Sequence, residues 1–121
     1  MYRILVINPG STSTKSAIYE DKNCIAEQSI SNSTETQAKN PLAGQQVKLR
    51  KDCILEWMTG VGVKLSDIDA FAVRGCNIKG CDLGGTYFVN DTLKEEVLSH
   101  HAPDQVVSHA SRLSIPIALS M

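Results

Sequence analysis

The 121-residue sequence predicts an α/β fold: a mixed sheet whose first strands are antiparallel, with flanking helices. Three observations predict it. Residues 2–30 hold three short β-branched and apolar runs separated by turn residues. Residues 45–59 and the segment from Asp104 onward carry apolar residues at helical spacing. Two further short runs, "AFAV" and "TYFVN", lie between the helical segments and read as strands.

Tyr2 to Ile7 is nearly all apolar, which suits a central strand buried on both faces. After the Pro9-Gly10 turn, Lys15–Tyr19 and Cys24–Ile30 read as strands around a polar turn at Glu20-Asp21-Lys22-Asn23. The stretch "SNSTETQAKNPLAG" reads as a loop, with Pro41 and Gly44 as breakers. From Gln45 to Thr59 the sequence reads as a helix with Val47, Ile54, Met58 and Val61 on one face. Lys48, Asp52 and Glu56 fall on its wet side, and Gly60 and Gly62 are candidates to end it. "AFAV" predicts a short buried strand ending at Arg74-Gly75, and a loop follows to Gly84-Gly85. Thr92 and Glu95 form a candidate capping box, so a helix is expected over about 92–99. Trp57 reads as a packing residue. Farther on, Val106, Ala110, Leu113 and Ile117 share a helical stripe that Pro116 should kink or shorten.

The chain ends on the apolar run "LSIPIALSM", with neither cap nor polar tail. Its last stripe then needs cover from elsewhere. That predicts a fragment of a longer protein, with 1–121 as a single N-terminal lobe, or a homo-oligomer joined through this segment.

Twelve basic and 13 acidic residues give a formal charge of −1 without any Lys/Arg block, which argues against nucleic acid or an anionic membrane surface as a partner. No apolar run approaches the roughly 18 residues of a membrane span, and no signal-peptide pattern opens the chain. A cytoplasmic protein is expected. Asn32-Ser33-Thr34 and Asn90-Asp91-Thr92 therefore read as turn and cap chemistry rather than glycosylation sites. Cys24, Cys53, Cys76 and Cys81 suit a reducing compartment. Cys76 and Cys81, with His100, His101 and His109, are the raw material of a zinc site. No second paired motif completes a tetrahedral set, so loop thiols are the better reading.

The most informative stretch is "INPGSTSTK". A turn needs Gly, Pro and an Asn; it does not need Ser11, Thr12, Ser13 and Thr14 in a row before Lys15. A glycine turn brings backbone N–H groups near a ligand, and hydroxyls and a lysine add donors and charge for phosphate oxygens. Asn8 offers a neutral carbonyl suited to a metal-bound water. The set suits a polyphosphate with Mg²⁺, held by a β-hairpin rather than by a G-x-x-x-x-G-K-[ST] loop, whose second glycine and helix are missing. The bland alternative is a hairpin whose Ser and Thr only favour turn and strand.

"INPGSTSTK" resembles the phosphate hairpin of the acetate and butyrate kinase family, within the actin-like ATPase superfamily, and the butyrate kinase branch is the nearer. The resemblance continues in order through "LRKDCILEW", "LSDIDAFAVRG", "GGTYFVND" and "HASRL". It implies an actin-like (ribonuclease H-like) core and a phosphotransferase acting between ATP and a short-chain carboxylate, with an acyl phosphate as product. ATP, Mg²⁺ and a small carboxylate are the implied ligands. By the same resemblance Asn8, Gly10, Ser11, Ser13 and Lys15 hold phosphate, with Asn8 also reaching Mg²⁺ through water. Arg74 meets the carboxylate or acyl phosphate, His109 stabilises the phosphoryl group in flight, and Gly84 and Gly85 belong to the substrate pocket.

The sequence departs from the family pattern in places. Val73-Arg74-Gly75-Cys76 stands where Gly-Arg-Gly-Gly is usual, and Arg112 and Ser114 replace an Asn and a Gly after His109. The adenosine-binding lobe is expected beyond Met121, so the chain alone is expected to be inactive. A non-catalytic kinase lobe, dimerising or binding an anion, is the alternative.

Overall fold

The computed structural model describes residues 1–75, 83–100, 102–107 and 109–121, with no side-chain description at His100. Its sheet has four strands: β1 (Arg3–Pro9), β2 (Ser13–Glu20), β3 (Asn23–Ser31) and β4 (Ala70–Val73). The order is β3-β2-β1-β4, with β1–β2 and β2–β3 antiparallel and β4 parallel to β1. The mixed sheet and its antiparallel start are therefore as expected.

Four helices accompany it: α1 (Thr34–Lys39), α2 (Ala43–Gly60), α3 (Asp91–His100) and α4 (Ser114–Ser120). α2 and α4 lie on one face of the sheet. Leu5, Ile7 and Ile18 from the strands meet Ile54 and Met58 of α2 and Leu113 and Ile117 of the C-terminal segment in one core. Trp57 packs at its edge, as expected. No helix among the described residues is long and apolar enough to cross a membrane.

Several elements differ from the sequence reading. β1 alternates, with Leu5 and Ile7 buried and Ile4 and Val6 only half-buried, so one face of the strand is covered rather than both. β4 is an edge strand among the described residues, and Phe71 keeps 39% of its surface exposed. The stretch read as a loop contains α1, because Ser33 Oγ accepts from Thr36 N–H at 3.1 Å and caps it. "TYFVN" forms no strand, and Phe88 is 98% exposed: high β propensity yields nothing without a neighbour to pair with. The cap of α3 is Asn90, whose Oδ1 accepts from Leu93 N–H at 2.9 Å, not Thr92.

At the other end of α2, Val61 is exposed rather than on the core face. Gly62, at φ +76°, reverses the chain there. The N–H of Val63 then reaches Met58 O at 2.9 Å and that of Gly62 reaches Thr59 O at 3.1 Å, a Schellman closure. The C-terminal helix is shorter than its stripe suggested. Val106 is exposed, and helix begins with a 3-10 turn at Ala110–Leu113 that runs into α4. Pro116 stands in the first turn of α4, where its missing N–H costs little. Leu113, Ile115 and Ile117 are buried within this same chain, whereas Val106 and Leu119 stay exposed.

Candidate functional site

β1 and β2 deliver the hydroxyl hairpin. Asn8 pairs with Lys15 and Pro9 with Thr14, and the turn closes where Gly10 N–H donates to Ser13 O at 2.6 Å. Strand alternation sends Thr14 and Ser16 to the covered face and leaves Lys15 on the open one. Asn32 N–H donates to Thr12 O at 2.8 Å and holds the tip against the end of β3. Among the described residues, none of the bonds around the turn uses the N–H of Ser11 or Thr12.

The back of the hairpin is held by a residue the sequence reading missed. Arg50 of α2 is 1% exposed. Its Nη1 donates to Gly10 O at 2.8 Å, Ser13 O at 3.2 Å and Thr14 Oγ1 at 3.0 Å. Its Nε donates to Gln46 Oε1 at 3.2 Å, and Gln46 in turn donates through Nε2 to Asn40 O at 2.8 Å. Desolvation lowers the Arg50 pKa from the ordinary guanidinium value. None of the ion pairs among the described residues involves it. A signal existed: Gln46, Arg50, Ile54 and Met58 recur every four residues, which puts two polar side chains on the apolar stripe.

Arg74 follows β4 directly. Because β4 runs parallel to β1 with Val73 opposite Ile7, Arg74 emerges beside the end of β1, and its N–H donates to Ile7 O at 3.2 Å. From the other side the buried hydroxyl of Ser114 donates to Arg74 O at 2.6 Å. Ser114 thus pins the backbone of the arginine.

His109 arrives on a strap. Ala43 N–H donates to Gln105 O at 2.8 Å and Gly44 N–H to Pro103 O at 2.9 Å, so segment 102–107 satisfies the open N-terminal donors of α2. His109 then caps the 3-10 turn after it. Its Nδ1 accepts from Ser111 N–H at 3.2 Å and lies 2.7 Å from Ser111 Oγ. With Nδ1 used as an acceptor, the neutral ring carries its proton on Nε2.

These pieces enclose one cleft of about 490 Å³, formed by the hairpin from Asn8 to Ser13, by Lys15, by Arg74 and Gly75, and by His109 and Ser111. Lys15, Arg74 and His109 come from three separate stretches of chain, and no carboxylate lines the cleft among the described residues. Hydroxyls, amides and cations without an acid make a site for a polyanion. The same donor set bears on a divalent ion: the described residues offer only neutral oxygens, which would hold it through water and phosphate rather than directly. Gly84 and Gly85 are exposed and do not line this cleft. Cys76, Cys81 and His101 lie outside the described residues, and among the rest no group of three metal-ligating side chains comes together.

No protein-family model matches the chain. Curated relatives do. The chain is 39% identical over 111 residues to probable butyrate kinase 1 of Thermotoga maritima, covering 92% of this chain and 31% of that protein. It is 41% identical over 97 residues to probable butyrate kinase 2 of Caldanaerobacter subterraneus subsp. tengcongensis, covering 80% of this chain and 27% of that protein. Over most of its length the chain is homologous to part of proteins named as probable butyrate kinases. A third relative, the probable butyrate kinase of Thermotoga petrophila, is 37% identical over 114 residues, with 94% of this chain and 32% of that protein covered. The chain thus spans about a third of the length of the curated relatives it matches. Its mixed four-stranded sheet with flanking helices accords with the actin-like core that the sequence resemblance implied.

Proposed function

We propose that this chain supplies the phosphate-binding lobe of a butyrate kinase-like phosphotransferase, which moves phosphate between ATP and a short-chain carboxylate to give an acyl phosphate. One observation carries the reading: the hydroxyl hairpin, Arg74 and His109, far apart in sequence, line a single cleft. Such transfer is mostly positioning and charge stabilisation, so fixed donors and cations are what the reaction asks of the protein.

In this reading Ser11, Ser13 and the turn amides hold phosphate oxygens, and Lys15 adds a point charge. Arg74 presents its fork to the planar carboxylate or to the acyl phosphate. Nε2–H of His109 donates to an oxygen of the phosphoryl group in flight, where negative charge spreads. Asn8 would hold a water of any Mg²⁺ that accompanies ATP, and the ion would supply neutralisation of phosphate charge there.

The residues described here serve the phosphate end of the reaction, and the isolated chain is expected to bind polyphosphate without turning over. An NMR titration of the ¹⁵N-labelled chain with MgATP tests this. Amides of the hairpin, of Arg74 and Gly75, and of residues 109–111 should shift. Shifts confined to other surfaces would overturn the site. Formation of butyryl phosphate from butyrate and ATP by the isolated chain would overturn the division of labour.

A further inference from the structure

Arg50 is the most unusual group outside the cleft. A buried guanidinium is costly unless it is both hydrogen-bonded and charge-compensated. Here the first condition is met and the second is not. Nη1 takes Gly10 O, Ser13 O and Thr14 Oγ1, Nε takes Gln46 Oε1, and no Asp or Glu among the described residues pairs with it. Three of its four acceptors belong to the hydroxyl hairpin.

Drawing the Gly10 and Ser13 carbonyls back toward α2 has two consequences. Backbone carbonyls that would repel an anion are tied to the far side of the turn, and the unused N–H groups of Ser11 and Thr12 are left for the cleft side. The guanidinium also leaves a full positive charge behind the turn, screened by protein rather than by water.

We propose that Arg50 is a positioning residue for anion capture: it clamps the hairpin from behind and takes the bound phosphate as its counter-ion. This rests on the reading of the hairpin as a phosphate site. Arg50 does not touch the ligand. It acts through the carbonyls it holds and through its field.

Tripolyphosphate without metal is the probe, titrated into the ¹⁵N-labelled chain. Arg50→Met, Arg50→Lys and Lys48→Met are compared with the unaltered chain. Lys48 is exposed on the same helix and makes its ion pair with Asp52, so its loss changes net charge equally without touching the hairpin. Arg50→Met should weaken binding by about tenfold or more, and Lys48→Met by less than about twofold. Arg50→Lys keeps the charge and loses the fork, so its affinity should fall between those of Arg50→Met and the unaltered chain.

Equal weakening by Arg50→Met and Lys48→Met would overturn the proposal, since net charge alone would then explain the loss. So would unaltered binding in Arg50→Lys, which remains the deciding variant should Arg50→Met fail to fold. If the unaltered chain binds tripolyphosphate and folded Arg50→Met binds it equally, only the Arg50 inference falls. If the unaltered chain shows no hairpin response at all, the phosphate reading falls and this inference with it.

Discussion

The two walls of the cleft are built on different principles. The hairpin wall is short in sequence and held many times over: a strand pair on each side of the turn, the Gly10–Ser13 closure, the Asn32 bond to its tip and the Arg50 fork behind it. The opposite wall is assembled from two distant stretches. Arg74 hangs on one backbone bond to β1 and one hydroxyl of α4, and His109 hangs on a strap laid across the start of α2. Among the described residues, one wall is a single contiguous hairpin braced from behind, whereas the other is tied down at two separate places. α2 joins them, since its N-terminus holds the strap and its buried face holds the hairpin.

The strongest way to break this comparison is at Arg50. Arg50→Met strands the carbonyl of Gly10 and the hydroxyl of Thr14, takes one of two donors from Ser13 O, and should cost about 3–5 kcal/mol in chemical denaturation. Where it folds, NMR shifts should concentrate at the hairpin and spare Arg74. Next, Ser114→Ala removes the bond to Arg74 O and should cost about 1–3 kcal/mol. Its shifts should gather at Arg74 and Gly75 with the hairpin unmoved. Shifts of equal size on both walls would show that the walls are not independent.

Gly44→Ala is a subtler probe. A Cβ at Gly44 would lie 3.0 Å from Pro103 Cβ and 3.2 Å from Pro103 O, so the strap must give way. A cost of about 1–2 kcal/mol is expected, with the His109 imidazole signals displaced and those of Lys15 unchanged. The smallest effect on the cleft should come from Gly62→Ala. Forcing a side chain onto φ +76° should cost about 1 kcal/mol of global stability, read by denaturant midpoint, and shift neither wall. Movement of either wall in that variant would show that the C-terminal end of α2 also feeds the site.

What could be read ahead of the structure, and what could not, divides along the same line. The hairpin was legible because its chemistry is contiguous: too many hydroxyls for a turn, ended by a lysine. Arg74 and His109 were legible only through the order of family-like motifs, since neither carries a local signature. Arg50 was missed although it sits on the stripe with Ile54 and Met58, because a charged side chain in a helix is assigned to water by default. "TYFVN" was misread for the opposite reason: propensity says how a strand would fit a sheet, not whether one is there to join.

The local chemistry of the chain was enough to dictate the antiparallel start, the long amphipathic α2 with its glycine stop and the donor set of the hairpin. Each follows from neighbours within a turn or two, where spacing alone decides which face a residue takes. Tertiary packing alone decided that Ser114 would reach Arg74, that the strap would seat on α2 and that Leu113, Ile115 and Ile117 would be covered from within. It also decided that a guanidinium would be buried behind the turn without a partner carboxylate among the described residues. Those outcomes depend on which surfaces meet in space: burial removes water as the alternative hydrogen-bond partner, so the contacts that remain become specific.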